Sequence, residues 1–182
     1  MRQFGEFEHR KFTTDDVLRM LDAGIVDEDE PLELLDGELV MMSPQGPWHR
    51  GLTVLLRKRL EAAYGNSCHV QDHSPVVLAQ RSMPEPDIAV IRGDVTAMLS
   101  RLPQPADVVL AVEISVTTLR ADRAKARLYG ESGVPVLWIV NVSERRLEVM
   151  SGPNVGGYSE TLILDETRTV RLPERSEDWP VV

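Results

Sequence analysis

The sequence holds a single cysteine, Cys68, so neither an internal disulfide nor a cysteine-based zinc site can be built from it. It has no uninterrupted apolar run near the roughly 18 residues that a membrane span needs. The opening stretch, "MRQFGEFEHRKF", has no apolar centre followed by a cleavage site, which argues against a secretory signal and makes the cytoplasm the expected location. Internal repeats, low-complexity tracts and long linkers are also missing, so the expectation is one domain across residues 1–182. Positive charge is scarce: 20 Lys and Arg stand against 29 Asp and Glu, for a net charge of -9 and a pI of about 4.9. A general nucleic-acid binder usually shows a basic face, so this balance weighs against one. It does not weigh against a nuclease centre, which is itself acidic. What is present, 42% apolar and 27% charged residues, suits a globular chain long enough to bury a sizeable core.

Residues 12–24, "FTTDDVLRMLDAG", combine a Thr cap, acidic residues in the first turn, helical apolar spacing and a closing Gly, and predict a short helix. In "PLELLDGELVMMSP", 31–44, Asp36-Gly37 between two apolar runs predicts a hairpin. "WHRGLTVLLRKRLEAAYG", 48–65, reads as a helix with Leu52, Leu55, Leu56, Leu60 and Ala63 as its apolar stripe and His49 at the N-terminal end of that face. Strands are expected at 68–79, 86–92, 108–116 and 135–142, with a polar loop over 93–107. The helix expected near 118–131 lies between the last two, which makes a βαβ crossover with parallel pairing. Two antiparallel strands follow from 146 to 164, "TVRL" is a candidate further strand, and the tail from 173 should lie over the surface. The sum is an α/β (α+β) fold with one mixed sheet, helices on its faces and an N-terminal hairpin.

Within "VVLAVEISV", 108–116, one carboxylate, Glu113, interrupts a run that reads as buried on both faces. A buried carboxylate needs a proton, a partner or a metal, because burying it alone costs several kcal/mol. Asp87 opens the neighbouring apolar strand in "MPEPDIAVI", where it could equally be a turn residue. Two acids on adjacent strands repel unless a proton or cation sits between them, and a hard ion such as Mg²⁺ takes one or two protein carboxylates. On the helix "TLRADRAKARLYGESG", successive side chains turn by about 100°. Ala121, Ala124 and Leu128 then form an apolar stripe, Asp122, Lys125 and Tyr129 the face beside it, and Arg120, Arg123 and Arg127 a third. Lys125 could reach back toward the Glu113 strand. By spacing alone the simpler reading is a pair with Asp122 on the same helix, and the simpler reading of the arginines is a solvated face.

"ELLDGELVMMSP", His49 opening a helix, "EPDIAVI", "LAVEIS" and "DRAKARLYGESGVPVLWIVN" occur here in an order that resembles a large bacterial family. That family is catalogued as a domain of unknown function, described as "putative restriction endonuclease" and assigned to the PD-(D/E)XK nuclease superfamily. The resemblance covers roughly residues 12–150, leaving 151–182 as C-terminal strands and tail. It implies a restriction-endonuclease-like core in which acids on adjacent strands bind Mg²⁺, with Mn²⁺ as a substitute. Asp87 then takes the place of the motif's Asp, and Glu113 that of its Asp/Glu. Where the superfamily has Lys two positions later this chain has Ser115, and Lys125 on the following helix resembles the family's own variant. Glu33 matches the upstream acidic position, with Glu38 as a competitor in the same hairpin, and His49 matches a His common at that helix start. Two further positions depart from the family: Leu32 replaces an aromatic, and Asn141 an Asp.

The function these residues imply is Mg²⁺-dependent hydrolysis of DNA phosphodiester bonds. Asp87 and Glu113 would bind the metal, Lys125, Glu33 and His49 would assist, and Arg120, Arg123 and Arg127 would contact phosphate. A nuclease-like fold that binds without cutting, as a regulatory module, is the alternative that the acidic total and Asn141 favour. A hydrolase with metal on His49, His69 or His73 is a third, weakened because His69 and His73 lie on a strand-like segment that would hold them roughly 13 Å apart. A homodimer is expected by analogy with nucleases that cut two strands, with the strands of 146–164 as an edge for pairing; light scattering that shows only monomer would exclude it.

Overall fold

The structure is a computed structural model and describes residues 9–27 and 29–181. Most of the opening stretch that argued against a secretory signal therefore lies outside the described residues. The elements run α1 (Thr14–Asp22), β1 (Leu32–Leu35), β2 (Glu38–Met41), α2 (Pro47–Tyr64), β3 (Cys68–Asp72), β4 (Ile88–Arg92), β5 (Val108–Ser115), α3 (Leu119–Glu131), β6 (Val136–Asn141), β7 (Arg146–Asn154), β8 (Gly157–Asp165), β9 (Thr169–Arg171) and β10 (Asp178–Pro180). Thr13 and Asp16 close a capping box at the start of α1, each satisfying a backbone N–H at the helix end. In the β1–β2 turn both Asp36 and Gly37 have positive φ, 50° and 80°, the backbone pattern a two-residue hairpin requires.

Six strands form one mixed sheet in the order β3-β4-β5-β6-β7-β8. Only β5 and β6 pair in parallel, joined by α3, as the buried strand–helix–strand pattern predicts. Alternation along the central strands sorts the core into two layers. Ile88, Val90, Leu110, Val112, Ile114 and Trp138 pack with Leu60 and Tyr64 of α2. Ala89, Ile91, Ala111, Leu137 and Ile139 pack with Ala126 and Tyr129 of α3. Glu113 shares the parity of Ala111 and so faces the α3 layer.

Four expectations are corrected. Leu55 is 62% exposed, since α2 turns Leu52, Thr53, Leu56 and Leu60 inward instead. The strand expected over 68–79 ends at Asp72, where His73 takes a φ of 43° that leaves the extended region. "TVRL" does not join the main sheet: β9 pairs with β10 in a separate ribbon. That ribbon and the tail lie over the α2-side core, as expected of the tail, and bury Val170, Leu172 and Val181 in it.

The fourth correction is the orientation of α3. Ala121 and Ala124 are exposed, and Leu128 is half-buried. The helix turns Asp122, Lys125, Ala126, Tyr129 and Gly130 toward the sheet. The reason lies on the sheet beneath it, which presents the carboxylates of Glu113 and Glu148 to the helix; both are buried. A purely apolar stripe would have left those charges without partners.

Candidate active site

The ladder between β4 and β5 brings the first two acids together. Ile88 is opposite Val112, Asp87 precedes the one and Glu113 follows the other. The backbone N–H of Ile114 donates to Asp87 Oδ2 at 2.6 Å, which ties the carboxylate to the neighbouring strand. His49, half-buried in the first turn of α2, places Nε2 3.0 Å from the same oxygen. The histidine at the N-terminal end of the α2 face therefore contacts the acid directly.

On the α3 side, Lys125 Nζ lies 2.9 Å from Glu113 Oε1 and 3.2 Å from Glu33 Oε1. The pair with Asp122 is not formed; the Thr118 hydroxyl donates to Asp122 at 2.6 Å instead. Of the two hairpin acids, Glu33 is the one in the site. Its Oε1 also accepts the backbone N–H of Glu85 at 2.9 Å, while Glu38 is exposed and pairs with Lys11. The three arginines behave differently from one another. Arg123 is engaged by buried Glu148 through two hydrogen bonds, Arg127 pairs with Glu131 and lines the cavity over the site, and Arg120 is exposed. That cavity has a volume of about 590 Å³, and Glu33, Glu85, Asp87, Glu113, Lys125 and His49 are among the residues that line it.

Three contributors had no assigned role from spacing. Tyr129, one turn beyond Lys125, donates its hydroxyl to Glu113 Oε1 at 2.8 Å. The shared helix face carried that signal, but nothing in the spacing distinguished it from packing. Glu85 precedes Asp87 by two residues and is brought into the cavity by its contact with Glu33. Gln45 reaches Asp87 from the loop before α2 at 3.4 Å. His69, by contrast, lines a separate cavity. Asn141 is buried away from any acid–acid contact, its Oδ1 accepting from Ser143 and from the Glu144 N–H to close the turn after β6.

Burial, together with the nearby charges of Asp87 and Glu33, pushes Glu113 up to about 8 against the opposing pull of Lys125. Glu113 and Glu33 hold Lys125 well above its ordinary value despite its burial, so the ammonium keeps its proton. Burial and then Glu33 push Glu85 up to about 7 from about 4.5. An acid whose folded pKa is raised binds more protons folded than unfolded, so stability falls as pH rises between the two values. Glu85→Gln is therefore expected to flatten the loss of stability between about pH 5 and 8, by up to ~2 kcal/mol. Urea denaturation at the two pH values reads this, and identical pH slopes for the variant and the parent would refute it.

A mixed sheet flanked by helices, with clustered acids at the junction of two central strands and a lysine from the crossover helix, is a nuclease-type fold. The crystal structure of a "putative nuclease belonging to DUF820" from Anabaena variabilis superposes with a TM-score of 0.73 over 93% of this chain and 95% of that one, at 16% identity. The family Uma2, "Putative restriction endonuclease", matches residues 14–179, and the chain belongs to it. No curated protein sequence matches significantly.

Proposed function

We propose that this protein is a divalent-metal-dependent endonuclease that hydrolyses DNA phosphodiester bonds in the cytoplasm, with Mg²⁺, or Mn²⁺ in its place, held by Asp87 and Glu113. The observation that carries this reading is an imbalance of charge. Glu33, Glu85, Asp87 and Glu113 line one cavity with a single lysine among them, and Glu113 is driven toward its protonated form by burial first and then by its acidic neighbours. An all-oxygen acidic set with excess negative charge suits a hard divalent cation. When bound, such an ion supplies Lewis-acid polarisation of the phosphodiester and of the attacking water.

The chain's own groups do the rest. The Ile114 N–H and His49 fix the Asp87 carboxylate. Tyr129 and Lys125 fix that of Glu113. Lys125, permanently charged, acts as a cation toward the developing charge on phosphate rather than as a base. Glu33 keeps its ammonium aimed into the cavity. Arg127, on the cavity wall, is the phosphate contact best placed of the three, and Arg120 is a candidate farther out. The exposed residues Leu162 and Ile163 on the edge strand β8 support pairing with a second copy as a homodimer.

The test is cleavage of plasmid and single-stranded DNA with Mg²⁺ or Mn²⁺. Asp87→Asn and Glu113→Gln are expected to lower the rate by roughly 10²-fold or more. Equal residual activity in the parent and both variants would show that these acids are not catalytic. A nuclease-like fold that binds without cutting, as a regulatory module, is the second reading, and one observation favours it: among the described residues, Arg127 is the one arginine on the cavity wall, which leaves few groups there to hold a phosphate backbone. Calorimetric titration with Mg²⁺ separates the two, since the module needs no binding that depends on Asp87 and Glu113.

A further inference from the structure

We propose that His49, His73 and Asp87 form a binding site for a first-row divalent transition ion, with two imidazole ligands and one carboxylate. One donor atom from each of these residues lies within 4.8 Å of the other two. They come from separate places in the chain: the first turn of α2, the loop after β3 and the residue before β4. His49 Nε2 is 3.0 Å from Asp87 Oδ2, and His73 Nδ1 is 3.6 Å from Asp87 Oδ1. Ligands bonded to one ion at roughly 2.1 Å stand roughly 3 to 3.5 Å apart, so the donors need little movement to share one.

Two independent features point the same way. The side-chain amide of Gln45 lies 3.2 Å from His73 Nδ1 and 3.4 Å from Asp87 Oδ1. One polar group thus spans the two side chains that would share the ion, and it donates to Asp87 where a cation would also be attracted. The second feature is the backbone at His73, whose φ of 43° lies in the left-handed region that a non-glycine residue seldom occupies. Such a conformation persists where the surroundings hold it, and here it aims the imidazole at the buried acid. Asp87 is already fixed by the Ile114 N–H, and His73 is exposed, which leaves the ion a route in from solvent.

The donor set decides the class of ion. Imidazole nitrogens suit Zn²⁺, Co²⁺, Ni²⁺ or Fe²⁺, whereas Mg²⁺ prefers oxygen and keeps its waters. The two imidazoles would therefore favour such an ion over Mg²⁺ on their side of Asp87, while the Glu113 side keeps its all-oxygen set. Its part in hydrolysis rests on the proposed nuclease reading, with which the site shares Asp87; its existence does not.

Titration of the full chain with Co²⁺, followed by visible absorption and by calorimetry, tests it. The parent is expected to bind one Co²⁺ per chain with bands characteristic of nitrogen ligation. His73→Asn, which tolerates the left-handed backbone, should weaken binding roughly tenfold or more. His49→Gln should do the same, while Glu113→Gln should leave affinity within about threefold. Circular dichroism confirms that each variant is folded. If Glu113→Gln abolishes binding and His73→Asn does not, the ion sits between the acids; the inference is then overturned and the nuclease reading stands. If the parent binds no Co²⁺, the inference fails outright, and Mg²⁺-dependent cleavage decides the nuclease reading separately.

Discussion

Lys125→Met is expected to destabilise the protein by about 3–5 kcal/mol at pH 8.5, with a clearly smaller loss at pH 6. The ammonium is the partner of two buried carboxylates, at 2.9 Å from Glu113 and 3.2 Å from Glu33. Without it, both acids remain buried with no cation between them. Protonation can relieve this, and Glu113 is the group that will take the proton, since burial and its acidic neighbours already push it up to about 8. Removing the opposing lysine raises it further. Between its ordinary value and this raised one the folded variant holds a proton that the unfolded chain has released, so stability falls as pH rises from about 6 to 8.5. Adding Glu113→Gln to Lys125→Met should recover much of the loss, a non-additivity that a double-mutant cycle reads directly. Cleavage by the single variant should drop by roughly 10²- to 10³-fold at pH 6, where the fold persists. A small, pH-independent loss of stability would mean that the ammonium does not reside between the acids.

Gly130→Ala is expected to lower stability by about 1–3 kcal/mol, although alanine is the better helix former by about 1 kcal/mol. A Cβ at this position would overlap the backbone carbonyl of Gly157, where β8 begins. The obstacle is main chain and cannot swing aside as a side chain could. Gly157 itself has a φ of 115°, so the strand cannot easily change its path there either. The helix must lift, and the residue before Gly130 is Tyr129, which holds Glu113. Activity measured below the melting transition should therefore fall together with stability. A melting temperature equal to or above that of the parent would show that propensity outweighs the contact.

The two variants differ in how far their effects could be read from sequence. Lys125 was legible as a candidate because the order of motifs around it resembles a family, yet its spacing pointed first to Asp122. Gly130 gave no signal at all, since a helical glycine near a C-terminus reads as a helix end. His73 is similar: four residues from His69 on a strand-like segment, it was expected roughly 13 Å from that histidine, with nothing to bring it to Asp87. Its approach to Asp87 depends on the chain leaving the extended conformation at that residue.

Local chemistry in the sequence was enough for the hairpin at Asp36-Gly37, the capped first helix, the parallel crossover from β5 to β6, and two acids at the ends of adjoining apolar strands. Each of these depends on neighbours within a few residues or on the alternation of a single strand. The rotation of α3 was decided only in three dimensions. A helical wheel places the apolar stripe inward on the assumption that the sheet below is apolar, and that assumption fails where Glu113 and Glu148 point up. The lowest free energy then puts Lys125 and Tyr129 over Glu113, holds Glu148 with Arg123, and leaves Ala121 and Ala124 in water, because an unpaired buried carboxylate outweighs two exposed methyl groups.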